Sequence, residues 1–434
     1  MNEIEEESFL IMIVRYQDGH LSESEIAEFD QTLRSDPEKR RLFIEVAKSS
    51  TGVFESLRQQ AFAGNDQDED RLVPFPIRTY VGRWAAAAVL ALLLGWGGWL
   101  LREGKPVATV RQTNVSNSLR VGDSLVSGKV VQLDTGRIKV QFDSGALLAV
   151  IAPASFEVLG TNSARLNYGR ATVRVPGTIK GFVLETQADR VVDLGTAFGV
   201  EVDPSGTTSL SVFEGEVQLS ADRNLSAGQS VELVDARSAP KVIPYSESSF
   251  AETWQISFGI EALVGNVRLA SPSERTVPGN VADSDSLLLF PERESVPLAQ
   301  GYRVDAIDPG VHQRPFRKRD VQLRRDIRAD SFLLQYNPAR TNGALRNQRF
   351  AGEIRFDRPV VALVLQKDLL DASDSVLGLP QTVFDNVFRR GLNGQDKVTL
   401  SEDRRTLLVD LDVSNGVDQL RVLLQSHNRI SSLP

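Results

Sequence analysis

The chain has no cysteine, only two methionines and only three histidines among its 434 residues. Without a thiol, disulfide bridges, thiolate zinc sites and a cysteine nucleophile are excluded, and the redox compartment is left open. His20, His312 and His427 stand far apart, with no spacing that would make two of them metal ligands. Nucleophile-elbow, phosphate-loop and HExxH patterns are missing, so the sequence reads as a non-enzyme with no cofactor or metal expected.

Charge is missing from one stretch. Trp84 to Leu101 reads WAAAAVLALLLGWGGWLL, eighteen residues without a charge. As a helix it would be about 27 Å long, close to the hydrocarbon thickness of a bilayer. Arg83 and Arg102 bracket it, and Trp84 and Trp99 sit where interfacial indoles are favoured. The run therefore predicts one transmembrane helix over 84–101. Ala87, Ala91 and Gly95 at four-residue spacing would share a face that could support a homodimer. Lys39, Arg40, Arg41, Arg71, Arg78 and Arg83 before the run, against Arg102, Lys105 and Arg111 after it, lean towards a cytoplasmic N-terminus. With more than eighty residues ahead of it, the run is not a cleavable signal peptide.

The net charge of −8 is unevenly spread. Residues 1–83 carry 17 acidic against 10 basic side chains, whereas residues 102–434 carry 40 against 39. An acidic N-terminal segment argues against direct nucleic-acid binding and suits a basic protein partner. Phe9, Met12, Ile13 and Tyr16 follow helical spacing, and after Asp18-Gly19 a second stripe carries Ile26, Phe29 and Leu33. Asp36-Pro37 reads as an N-cap and first-turn proline opening a third helix. Residues 1–62 are thus expected to form a small helical domain whose apolar stripe a partner completes, with 63–83 as an acidic, proline-bearing linker.

Beyond a spacer over 102–118, the period changes to two. Ile138–Phe142 and Ala171–Val175 alternate, and Phe182–Thr186, Phe198–Val202, Leu210–Phe213 and Glu216–Leu219 are further strand candidates separated by Gly-bearing turns. The ordered pieces Phe142-Asp143-Ser144-Gly145, Leu166-Asn167-Tyr168-Gly169-Arg170-Ala171, Glu185-Thr186, Leu194-Gly195-Thr196-Ala197-Phe198-Gly199-Val200 and Val212-Phe213-Glu214-Gly215-Glu216-Val217 resemble the periplasmic FecR domain. That family comprises membrane regulators of extracytoplasmic-function sigma factors. Tyr16-Gln17-Asp18-Gly19-His20-Leu21-Ser22 and Leu33-Arg34-Ser35-Asp36-Pro37 are similar to the cytoplasmic anti-sigma segments of such proteins, here of a zinc-free kind. Gly145, Gly169, Gly195 and Gly215 are expected at positive φ or at close backbone approaches, as scaffold rather than binding residues.

Residues 221–251 read as a connector and 252–434 as a second β-rich, sandwich-like domain, from the candidate strands Phe332–Tyr336, Gly352–Phe356, Val360–Leu365, Val398–Leu400, Thr406–Leu411 and Gln419–Leu424. Arg314, Arg317, Lys318, Arg319, Arg324, Arg325 and Arg328 crowd one loop, either solvated or open to an anionic envelope polymer. The acidic pairs Asp371/Asp374, Glu402/Asp403 and Asp283/Asp285 match no calcium-loop pattern.

The expected fold class is therefore multidomain: a small all-α bundle, one transmembrane helix, a FecR-like roll or β-solenoid over 119–220, and a β-sandwich-like end. The resemblance implies an inner-membrane signal transducer, N-terminus cytoplasmic and C-terminus periplasmic, that binds an extracytoplasmic-function sigma factor in response to an envelope ligand or protein. The alternative is a membrane-anchored envelope protein that recognises polysaccharide or a surface partner without touching a sigma factor.

Overall fold

A computed structural model describes Thr32, Asp36, Lys39 and residues 105–426, apart from 116–118, 177–180, 221–222, 276–280, 315–320, 339–347, 381, 383–389 and 414–416. The chain divides into two compact units, Met1–Gly95 and Trp96–Pro434. In the first, Thr32 and Lys39 are helical, and the Lys39 N–H donates to Asp36 Oδ1 at 3.3 Å, the hydrogen bond an N-cap aspartate makes.

The fold class differs from the expectation. Strands make up 56% of the structure, so its class is β with short helices. Three α-helices are described, α1 Ala251–Ser257, α2 Pro272–Arg275 and α3 Lys367–Leu377, of seven, four and eleven residues. Among the described residues no helix is long and apolar enough to cross a membrane. The expected bundle and span are thus no part of the architecture described. The periodicities that suggested them fall before Lys105, and Phe9, Met12, Ile13, Tyr16, Ile26, Phe29, Leu33, Trp84, Ala87, Ala91, Gly95, Trp99 and Leu101 all lie outside the described residues.

The second unit holds two β modules packed together. The first is a fourteen-stranded sheet, antiparallel except where Ser163–Arg174 runs parallel to Val183–Glu185. Its inward side chains, among them Ile138, Val140, Phe156, Val173, Phe198 and Val212, meet in one apolar cluster. The longest strand, Leu147–Gly160, pairs with Arg137–Phe142 over its first half and with Lys129–Leu133 over its second. Its register against Ser163–Arg174 breaks between Ile151 and Ser155, where an irregularity lets the strand bend from one part of the sheet to the other. This continuous, branching sheet occupies the region expected to form a roll or solenoid and extends it on both sides, from Pro106 to Val242.

The second module has a five-stranded and a six-stranded sheet. Ile354, Leu407 and Val409 from the first and Leu289, Phe332 and Val422 from the second share one core. That core also takes in Ala197 and Phe213 of the first module together with Phe250, Trp254 and Phe258, so the two modules are joined by apolar packing. Helix α1 lies at the join. It comes after a 3-10 turn, Ser248–Phe250, and buries Thr253, Trp254, Ile256 and Ser257.

Candidate functional site

Strand alternation sends every second side chain to the opposite face. In Arg137–Phe142, Ile138, Val140 and Phe142 enter the module's core, which should leave Lys139 and Gln141 in water. They are buried instead, Lys139 to 1% exposure. On the neighbouring Ser163–Arg174, Thr172 and Arg174 are buried in the same way. The polar face of the sheet is covered by α1 and by the second module. Thr172 Oγ1 lies 2.7 Å from Thr253 Oγ1, and Arg174 donates to the Ser257 carbonyl at 3.2 Å.

Ion pairs complete the join. Lys139 pairs with Asp357, both almost wholly buried, and Asp357 also accepts from Arg358 at 2.7 Å. Arg358 Nη2 donates to Asp330 at 2.6 Å. Arg174 pairs with Glu294, and Arg275 of α2 with Glu214 of the first module. Burial lowers the Lys139 pKa to about 8 against the pull of Asp357, with Arg358 and Arg174 pushing the same way as burial. Burial also pushes the Arg174 guanidinium down, and the neighbouring Arg275 adds to it. The Arg174 guanidinium sits over the Phe258 ring, its carbon 3.5 Å from the centroid.

Between these pairs the modules leave a cavity of about 570 Å³. Gly195, Thr196, Ala197 and Glu214 bring two of the sequence motifs to its wall, and Arg174, Arg275, Glu294, Arg328 and Arg358 supply charge. A second polar cluster stands behind it. Arg421, fully buried, grips Glu292 through two hydrogen bonds of 2.7 and 2.9 Å and reaches Asp374 at 2.9 Å.

The motif glycines take the expected backbone: Gly145, Gly169, Gly195 and Gly215 all have positive φ. At Gly215 a Cβ would also meet the Gly195 carbonyl at 2.6 Å. Gly199 has another reason for lacking a side chain. A Cβ there would lie 2.6 Å from the Phe250 ring and 2.7 Å from Phe213, so the glycine makes room for the aromatic seam between modules. That seam runs edge to face from Phe250 through Phe213, Trp254 and Phe258 to Phe332.

The cation-rich loop is divided. Arg324 and Arg325 are exposed, Arg324 lying 3.5 Å from Asp308, whereas Arg328 lines the cavity and donates to the Ser295 carbonyl at 2.7 Å. Arg317, Lys318 and Arg319 lie outside the described residues. The acidic pairs are engaged by protein groups. Asp371 and Asp374 hold Arg390, Asp283 holds Arg268 at 2.7 Å, and Asp403 accepts the Arg405 N–H at 3.0 Å. Among the described residues no group of three or more His, Asp or Glu side chains is placed to hold a metal ion.

Sequence reading missed this site because alternation marks Lys139, Gln141, Thr172 and Arg174 as solvent-facing. Nothing local connects Lys139 to an aspartate 218 positions away.

No family model matches the chain, and no curated protein matches it. The solved structures it is similar to include two crystal structures of a protein provisionally described as an anti-sigma factor from Parabacteroides distasonis. Each is 15% identical, with TM-scores of 0.26 and 0.25. The alignments cover 32% of this chain and 66% of those chains, a limited likeness to anti-sigma-type structures.

Proposed function

We propose that this chain is a membrane-associated regulator of an extracytoplasmic-function sigma factor. The acidic segment before Trp84 holds the sigma factor, and the two β modules receive an envelope signal. The chain works at the bacterial cytoplasmic membrane, with the acidic segment on the cytoplasmic side and the modules on the exported side. Its role is binding and relay, without catalysis. Sigma factors present basic surfaces to nucleic acid and polymerase, so an acidic competitor is complementary to them.

The observation that carries the reading is where the FecR-like motifs fall. Leu194–Val200 and Val212–Val217 contribute to the wall of the intermodule cavity and to the aromatic seam beside it. The residues that carry the resemblance therefore sit where a change in one module would be felt by the other.

Affinity capture of the full-length chain from its native host tests the proposal. An extracytoplasmic-function sigma factor is expected to co-purify, and deletion of the chain is expected to change transcription from that factor's promoters. Recovery of no sigma factor, together with unchanged transcription, would overturn it.

A further inference from the structure

The intermodule cavity presents its charges unevenly. Its carboxylates are already engaged. Glu292 accepts from Arg421 and from the Ser331 hydroxyl, and Asp330 accepts from the Ser295 N–H and from Arg358. Its cations keep donors in reserve. Lys139 Nζ carries three protons, and Asp357 is its one acceptor among the described residues. Arg358 Nε is buried and has no partner there. Among the described residues Arg328, only half-buried, donates through Nη1 alone.

Five cationic side chains and four carboxylates line the wall, and Asp357, which pairs with Lys139 and Arg358, is a fifth carboxylate. What the protein leaves unabsorbed is therefore donor capacity: among the described residues Arg328 meets no carboxylate and Arg358 Nε no acceptor. Buried donors left unfilled are costly, and guanidinium groups match carboxylate and phosphate oxygens in geometry. The volume of about 570 Å³ falls in the range of sites for small molecules, roughly 300–1,000 Å³.

We propose that this cavity binds a small anion bearing a carboxylate or phosphate group, held by Arg328, which no carboxylate meets among the described residues, and by Arg174 beside it on the wall. Burial and the neighbouring Arg275 both weaken the hold of Arg174 on its proton. As the input of a regulator, the site rests on the function proposed above, but binding itself needs no sigma factor.

Isothermal titration of the purified full-length chain at fixed ionic strength tests the site, with succinate and inorganic phosphate as separate probes and glucose as the neutral control. Saturable binding of at least one anion and none of glucose is expected, and the preferred probe separates a carboxylate ligand from a phosphate one. Arg328→Gln removes a charged donor and should weaken binding about tenfold or more. Glu294→Gln frees Arg174 from its carboxylate and should tighten it, a change of sign that a damaged fold would not produce. If Arg328→Gln does not fold, as read by circular dichroism, the Glu294→Gln result decides alone. Binding of neither anion, or affinity that Glu294→Gln fails to raise, would overturn the proposal. Because no sigma factor is present, either result is independent of the capture experiment.

Discussion

The strand Arg137–Phe142 and the Ala171–Arg174 end of Ser163–Arg174 bury both of their faces, in opposite ways. One face sends Ile138, Val140, Ala171 and Val173 into an apolar core. The other holds Lys139, Gln141, Thr172 and Arg174 against the second module, at exposures of 9% or less. Apolar contacts are non-directional and tolerate rearrangement. Ion pairs out of water gain little net stability, but each fails if its partner is misplaced. The first face therefore supplies most of the module's stability, and the second fixes how the two modules are aligned.

The contrast can be broken most severely at Asp357. Asp357→Ala leaves Lys139 buried without its counter-charge, with an expected loss of about 3–5 kcal/mol in denaturant unfolding. Adding Lys139→Met to that variant should restore much of the loss, since an apolar pair needs no partner.

A pH series sharpens the same comparison. The folded pKa of Lys139, about 8, lies below its ordinary value of 10.5, so the unfolded chain binds more protons between those limits. Its burial penalty is present in full below about pH 8 and is relieved as pH rises towards 10.5. The native chain should therefore gain on the order of 2–3 kcal/mol relative to Lys139→Met over that window, measured by unfolding at each pH.

Gly199→Ala tests the apolar part of the join. The added methyl meets the Phe250 and Phe213 rings, and an expected cost of about 1–3 kcal/mol should come with an altered near-ultraviolet signal from Trp254. The smallest effect belongs to the outer surface. Arg349 and Asp410 form two hydrogen bonds of 2.6 Å, but the arginine is 61% exposed. Asp410→Asn should leave the unfolding midpoint almost unchanged, and the small difference should shrink further in high salt.

Much of the strand content was legible. Every strand candidate from Ile138 to Leu219 lies in or overlaps an observed strand, because one face of each is apolar. The longest strand was not. Leu147–Val150 is buried on both faces and so has no period, and Pro153 interrupts the strand at its middle. Pro106–Thr113 was also missed, lying in the segment read as a spacer. Helix α3 is rich in polar residues and buries only Leu370, Ser373 and Leu377, too thin a stripe to be recognised. The cavity was illegible for a different reason. Its charges come from segments as distant as Lys139 and Asp357, and a lysine between two apolar neighbours in a strand reads as solvent-facing until the surface opposite it is known.

The aromatic seam has a consequence for how the cavity behaves. Phe258 and Phe332 belong both to the edge-to-face row and to the cavity wall. The rings that join the modules therefore also form part of the boundary of the charged space. Room for a guest is then part of the resting architecture, and occupying it requires no prior separation of the modules.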